Sequence, residues 1–270
     1  MSGAVEQWSE RVTRVLAPNP SPMTLEGTNT YVVGEPGAGE VVVIDPGPPD
    51  ADHALRVVRA CEGRQVGLVL LTHTHADHAA GARGFAERVG APLAALASGW
   101  STPGAPALVA GRPLAAGGLA LVPVPTPGHA PDHCCFLLAG ERAMLTGDHV
   151  LGRGPTVIDW PEGDMSEYLR SLSVLLDYDL ERLYPGHGPL VPDAAGKIDE
   201  YVAHRRARER QVLAALAAGD RTPAEIVARV YADVDPVLHS AAERSVRAHL
   251  VKLVREGRAE ADGDRYARST

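Results

Sequence analysis

The stretch Leu68-Val69-Leu70-Leu71-Thr72-His73-Thr74-His75-Ala76-Asp77-His78 sets the terms for the whole chain. The apolar run Val66 to Leu71 reads as a buried strand, short, continuous and rich in Val and Leu. Three imidazoles and a carboxylate follow at 73, 75, 77 and 78. Burying four such heads together without partners costs on the order of several kcal/mol each. A loop of this kind at a strand end therefore points to a metal site. Imidazole nitrogen and carboxylate oxygen are the ligands that Zn²⁺ takes, at about 2.0–2.2 Å. Alternation sends His73 and His75 to one side, towards one ion, and Asp77 and His78 then turn to a second point nearby. The competing reading, a polar loop with scattered histidines, leaves the density of ligand-type residues unexplained.

The pattern recurs. Glu40-Val41-Val42-Val43-Ile44 is a strand that ends in Asp45-Pro46-Gly47, and Leu119 to Val124 delivers Thr126-Pro127-Gly128-His129. Ala143 to Thr146 ends in Gly147-Asp148-His149, and Arg182-Leu183-Tyr184 ends in Pro185-Gly186-His187-Gly188. With His73 these make five strand ends that carry an acid or a histidine beside Gly, Pro or Thr. Open α/β sheets gather their chemistry at strand ends, where loops are held on a rigid support. Asp45 reads equally as an Asx-turn or as an acceptor that orients a ligand from behind. His133 and His149 flank the ligand positions, either as supports or proton donors to a leaving group, or as loop histidines without a catalytic duty. His53, His204, His239 and His249 fall on or near helical stretches and read as surface or packing residues. Between the strands, Asp50 or Asp52 caps a helix through Val58 that closes at Gly63, and Gly81 opens another that stops at Gly90. Met165 to Leu176 is a further helix, and Ser98 to Pro113 reads as loop.

From Lys197 the texture changes. Residues 1–196 hold 12 Lys/Arg against 22 Asp/Glu, a net −10, whereas residues 197–270 hold 14 against 12, a net +2. Ile198 to Ala218 reads as one long basic helix. Thr222-Pro223-Ala224-Glu225 is a capping box with Pro at the first helical position, and Ser240 to Glu256 is a third helix. Asp262-Gly263-Asp264 then turns a hairpin. Helix, helix, helix, hairpin is the order of a winged helix. The reading is an α/β (α+β) chain of two domains, 1–200 catalytic and 201–270 winged-helix-like.

Composition excludes several classes. Aromatic residues are only 4 % of the chain, so its core is built mainly from Ala, Val and Leu. No 18-residue apolar run exists to span a membrane, and Met1 to Arg14 shows no apolar leader core. Cys61, Cys134 and Cys135 are odd in number, with two adjacent, a poor disulfide framework. These points favour a cytoplasmic protein.

The order His73-x-His75-x-Asp77-His78, then His129, Asp148 and His187, resembles the metallo-β-lactamase superfamily. More narrowly the chain is similar to the β-lactamase-like protein 2 group, which has endoribonuclease activity on single-stranded RNA. Thr24-Leu25-Glu26-Gly27-Thr28-Asn29-Thr30-Tyr31, Thr146 to Gly152, Tyr184 to Pro189 and Lys197 to Gln211 carry that likeness. Ala79-Ala80-Gly81 departs mildly from the group and touches no ligand position. The resemblance implies an αββα sandwich over about residues 10–195 and a winged helix over about 205–268. It also implies His73, His75 and His129 on one metal ion, Asp77, His78 and His187 on a second, and Asp148 between them. Two divalent ions, zinc first and Fe or Mn next, would lower the pKa of a water. Asp77 would orient that water and take its proton.

Three functions fit. The first is a phosphodiesterase or endoribonuclease on RNA, with Arg205, Arg206, Arg208, Arg210, Arg247, Lys252 and Arg255 contacting phosphates. The acidic catalytic segment counts against it. The second is hydrolysis of a small thioester or ester, glyoxalase II-like, since the same centre serves carbonyl attack. The third is a winged-helix nucleic-acid-binding protein with a metal-sensing domain. A homodimer is one further expectation, because winged helices also pair. No Gly-x-Ser-x-Gly elbow offers a serine nucleophile.

Overall fold

A computed structural model describes residues 4–269. The first three residues of the stretch read for a leader lie outside the described residues. The chain divides into two compact units.

The first runs through Thr126 and adds Asp132–Gly154 and Asp179–Ala195. It holds β1 (Val5–Gln7), β2 (Val12–Leu16), β3 (Asn29–Val33), β4 (Glu40–Ile44), α1 (Ala51–Ala60), β5 (Gln65–Leu70), α2 (Ala76–Ala79), α3 (Ala82–Val89) and β6 (Leu93–Ala94). Then come β7 (Leu114–Ala116), β8 (Leu119–Pro125), β9 (Cys134–Leu138), β10 (Ala143–Gly147) and β11 (Arg182–Pro185). β1 to β6 form one sheet in sequence order, and β11-β10-β9-β8-β7 form the other. Both sheets mix parallel and antiparallel pairs: β4 runs parallel to β5 and β10 to β11, while β3–β4 and β9–β10 are antiparallel.

The run Glu40-Val41-Val42-Val43-Ile44 shows why these strands are apolar on both faces. Val42 and Ile44 pack with Leu121, Phe136 and Leu145 of the second sheet. Val41 and Val43 face the other way, onto Val57 of α1 and Phe85 of α3. A strand covered on both sides loses the polar half of its alternation. Cys61, Cys134 and Cys135 are buried and free, as small apolar residues would be.

The second unit comprises Pro127–Pro131, Pro155–Tyr178 and the chain from Gly196. Its elements are α4 (Met165–Leu176), α5 (Ala194–Ala217), α6 (Pro223–Val230), α7 (His239–Arg255), β12 (Ala259–Asp262) and β13 (Arg265–Arg268). Asp164 caps α4, accepting from Ser166 N and Glu167 N. Thr222 and Glu225 close the capping box at α6. Leu216, Ile226, Val246, Leu250, Leu253 and Tyr266 knit α5, α6, α7 and the hairpin into one core.

Some boundaries differ from the sequence reading. α5 starts at Ala194, four residues before Ile198. Asp77 and His78 sit on the one-turn helix α2 rather than on a loop. β2 carries no clear alternation because Arg14 is buried there, its Nε donating to Asn29 Oδ1 at 2.8 Å. No helix among the described residues is long and apolar enough to cross a membrane.

Candidate metal centre

β4, β5, β10 and β11 each end in a residue that faces one point. β4 ends at Asp45, whose backbone takes φ 51°, a left-handed conformation that turns its carboxylate across the sheet. Thr72 N donates to Asp45 Oδ1 at 2.8 Å and Thr72 Oγ1 to Oδ2 at 2.7 Å. His78 Nδ1 donates to the same Oδ2 at 2.8 Å. Asp45 thus holds both the start of the histidine loop and the ring of its last histidine. Of the two roles open to Asp45, the structure shows the acceptor behind the ligand positions.

Four groups converge in front of it. His78 Nε2 lies 3.2 Å from His187 Nε2 and 3.3 Å from Asp148 Oδ1. His187 Nε2 lies 3.4 Å from Asp148 Oδ1 and 3.1 Å from Asp77 Oδ2, and His78 Nε2 stands 3.8 Å from Asp77 Oδ2. Four ligands about 2.0–2.1 Å from a tetrahedral centre stand about 3.3–3.4 Å from one another. The group therefore fits a divalent cation without rearrangement. Its imidazoles are also correctly oriented. His187 Nδ1 donates to Gly27 O at 3.1 Å, and His78 Nδ1 is committed to Asp45, so in each ring it is Nε2 that is turned inwards.

His73 and His75 are carried by the first unit, and His129 by the second. His73 Nε2 and His75 Nδ1 face each other at 3.1 Å. Thr72 Oγ1 spends its proton on Asp45, so at 3.0 Å it accepts from His73 Nδ1 and turns Nε2 towards His75. His129 Nδ1 donates to Val157 O at 2.8 Å, which fixes the orientation of its ring.

Electrostatics give the site its demand for positive charge. Burial opposes a charged His78, yet Asp148 and Asp45 outweigh it and raise its pKa well above the ordinary range. Burial likewise opposes charge on His187, and Asp148 and Asp77 carry it up to about 9. Burial alone would raise Asp148, but His187 and His78 hold it well below the usual carboxylate range. Asp77 is also lowered, burial being overcome by His187 and His78. Two carboxylates that keep protons on neighbouring imidazoles form a site that a divalent cation neutralises better.

His133 and His149 are completely buried. Asp148 N donates to His133 Nε2 at 3.2 Å, and His133 Nδ1 lies 2.8 Å from Thr126 Oγ1. That lone pair is spent on the backbone of Asp148. His75 and Asp77 are the half-exposed members of the set.

Sequence reasoning did not single out Asn29, and it read Gly186 only as part of the turn that delivers His187. Asn29 Nδ2 donates to Pro185 O and Gly188 O, 2.9 Å each, and so braces the turn that carries His187. A Cβ on Gly186 would stand 2.5 Å from Asp148 Oδ1, so only glycine passes there. A Gly between Pro185 and His187 was the available signal.

The basic residues read as phosphate contacts are mostly committed within the second unit. Arg205 donates to Thr156 O and lies over Tyr168. Arg208 stacks on Tyr231, 4.3 Å from its centroid, and donates to Val230 O. Arg247 pairs with Asp264 and Glu243, Lys252 with Glu209 and Glu256, and Arg255 with Asp164. Arg206 and Arg210 are the exposed remainder of that set. The third helix of the winged helix, α7, buries Ser245, Ala248 and His249 as well as its core-facing Val246 and Leu250. A helix covered this way offers little face to a DNA groove.

Comparison with known proteins agrees with this geometry. Residues 23–187 match the family model of the metallo-β-lactamase superfamily, and residues 222–268 match that of the β-lactamase-associated winged helix domain. The chain is 34 % identical over 264 residues to a β-lactamase-like protein 2 homolog of Caenorhabditis elegans, covering 94 % of this chain and 87 % of the other. It is 35 % identical over 261 residues to an atrochrysone carboxyl ACP thioesterase of Aspergillus chevalieri, covering 92 % and 82 %. Among solved structures, a metallo-β-lactamase family protein of Thermus thermophilus superposes with TM-score 0.78 at 25 % identity, over 95 % of this chain and 98 % of that one. Both units are thus accounted for, and the chain belongs to the metallo-β-lactamase superfamily of hydrolases, with the winged helix domain associated with that fold at its C-terminus.

Proposed function

We propose that this protein is a dinuclear-metal hydrolase of a small thioester or ester. His73, His75 and His129 would hold one ion, Asp77, His78 and His187 the other, and Asp148 would lie between them. Divalent cations bound there supply Lewis acidity, lowering the pKa of water from 15.7 towards about 7 and polarising the carbonyl under attack. Asp77 is half-exposed and held ionised beside His187, so it orients the attacking water and takes a proton at the carboxylate oxygen turned away from His187. Asp45 and Gly27 O take the Nδ1 protons of His78 and His187, so it is the proton on each inward Nε2 that a bound ion would displace. Water adds to the carbonyl carbon, the carbon–sulfur bond breaks, and the products are a carboxylic acid and a thiol.

The substrate class rests on one observation. Most of the cations that a polyanion would need are already paired with the chain's own acids and carbonyls. A net −10 over residues 1–196 adds repulsion. The likeness to the Aspergillus thioesterase supports the same reading. Cleavage of single-stranded RNA is the second reading, favoured by the exposed Arg206 and Arg210 and by the full-length likeness to the β-lactamase-like protein 2 homolog.

The two are separated by offering the metal-loaded protein S-lactoylglutathione, a short single-stranded RNA and bis-p-nitrophenyl phosphate. EDTA and His75→Ala serve as controls. Thioester turnover lost with both controls is the expected result. RNA cleavage lost with both, and no thioester turnover, moves the assignment to the second reading.

A further inference from the structure

Two cations of the second unit, Arg205 and Arg244, engage one short segment, Thr156-Val157-Ile158-Asp159. Val157 O is the acceptor that orients the His129 ring. The buried Arg205 of α5 donates to Thr156 O, one residue before it. Ser245 of α7 accepts from Ile158 N at 3.4 Å, one residue after it. Arg244 of α7 pairs with Asp159 at 3.0 Å.

The loop that carries His129 is gripped from its other side. Asp164 N donates to Gly128 O at 2.8 Å, and Ser171 Oγ donates to Pro127 O at 2.8 Å. Gly128 takes φ +137°, and a Cβ there would lie 2.3 Å from Tyr168 Cα, so the loop is pressed directly onto α4. Arg255 of α7 pairs with Asp164, the residue that caps α4 and holds Gly128.

From this we infer that the C-terminal helices act as the support of the His129 position, and that Arg205 is a positioning residue for it, acting through the Val157 carbonyl. The inference rests on His129 being a metal ligand, as proposed above. A buried guanidinium pinning the carbonyl next to Val157 keeps that strand of backbone from rotating. Val157 O then stays aimed at His129 Nδ1, and the Nε2 lone pair stays presented. Groups behind a metal-bound histidine typically set metal affinity within about 10–100-fold. Here those groups come from helices whose charges look, in the sequence, like a nucleic-acid surface.

The test measures metal binding, not turnover. Stoichiometry and affinity for Zn²⁺ are read by chelator competition on the full chain, comparing the unmodified protein, His129→Ala, Arg205→Met, Arg205→Lys and Ser245→Ala. His129→Ala examines the underlying reading: it must weaken one of two ions, and unchanged binding of both would remove that reading itself. With that control positive, Arg205→Met should weaken the same single ion by about tenfold or more, with the other unaffected, and Arg205→Lys should restore part of it. A lower melting temperature of metal-free Arg205→Met, with both affinities unchanged, overturns the positioning role and leaves a purely structural one. Should Arg205→Met not fold, Arg205→Lys and Ser245→Ala decide: a selective loss at the His129 ion supports the role, and unchanged affinities reject it.

Discussion

Asp45 shows how one side chain sets the order of a site it does not line. Its two oxygens accept from Thr72 N, Thr72 Oγ1 and His78 Nδ1, and its own carbonyl accepts from Thr30 Oγ1 at 2.7 Å. A charged acceptor at this point holds the His78 ring with Nδ1 outwards and Nε2 turned to the candidate ion. Asp45→Asn replaces one acceptor oxygen by a donor that faces either Thr72 or His78. Metal affinity and hydrolytic rate should fall by about 10–100-fold with the fold intact, read by chelator competition and circular dichroism. Unaltered metal affinity would remove this account of Asp45. The converging nitrogens and oxygens were legible in the chain because spacing and residue type are local properties. The roles of Asn29 and Gly186 were not, because each acts on a residue more than thirty positions away in sequence.

At the scale of an element, α7 is the most informative. Its sequence reads as a helix with one apolar stripe, Val246, Leu250, Leu253 and Val254, and with bases and acids between. In the folded chain it is buried on two faces, and His249 is almost wholly enclosed. Burial, assisted by the neighbouring Arg205, pushes the His249 pKa down to about 3. Neither ring nitrogen meets a hydrogen-bond partner among the described residues. The folded state therefore resists protonation of a group that the unfolded chain protonates near 6.5. Above that pH both states are neutral and His249 contributes no slope. As pH falls from about 6.5 towards 3 the unfolded state binds the extra proton and stability is lost, by about 2 kcal/mol at pH 5. His53 and His204, both pushed down to about 4 by burial, act in the same direction. His249→Leu should flatten the acid limb of stability against pH relative to the unmodified protein, measured by urea unfolding between pH 5 and 7.5. Parallel curves for the two proteins would show that His249 is not held neutral.

For the molecule as a whole, the buried charges around Asp148 predict a metal-dependent stability. Two carboxylates and two imidazoles packed together without a cation keep protons that a divalent ion displaces. Binding to the folded state alone adds about 4 kcal/mol when the ion is a thousandfold above its Kd. EDTA should therefore lower the melting temperature by about 10 °C, and added Zn²⁺ should reverse it. Melting curves indifferent to both would mean that no ion is held.

The linear chain carried the candidate ligand positions, the strand ends beside most of them, the caps of α1 and α6, and the change of texture near residue 197. Each of these is written in short-range spacing: alternation, turn residues, a cap three positions from its partner. What became of the charges was not written there. Arg255 meets Asp164 across 91 positions and Arg205 meets Thr156 across 49, and nothing in either local pattern names the partner. A guanidinium looks the same in sequence whether it faces water, a phosphate or its own backbone. Burial decides among these, and burial is set by the packing of α4, α5 and α7 against one another, a long-range property that exists only once the chain has folded.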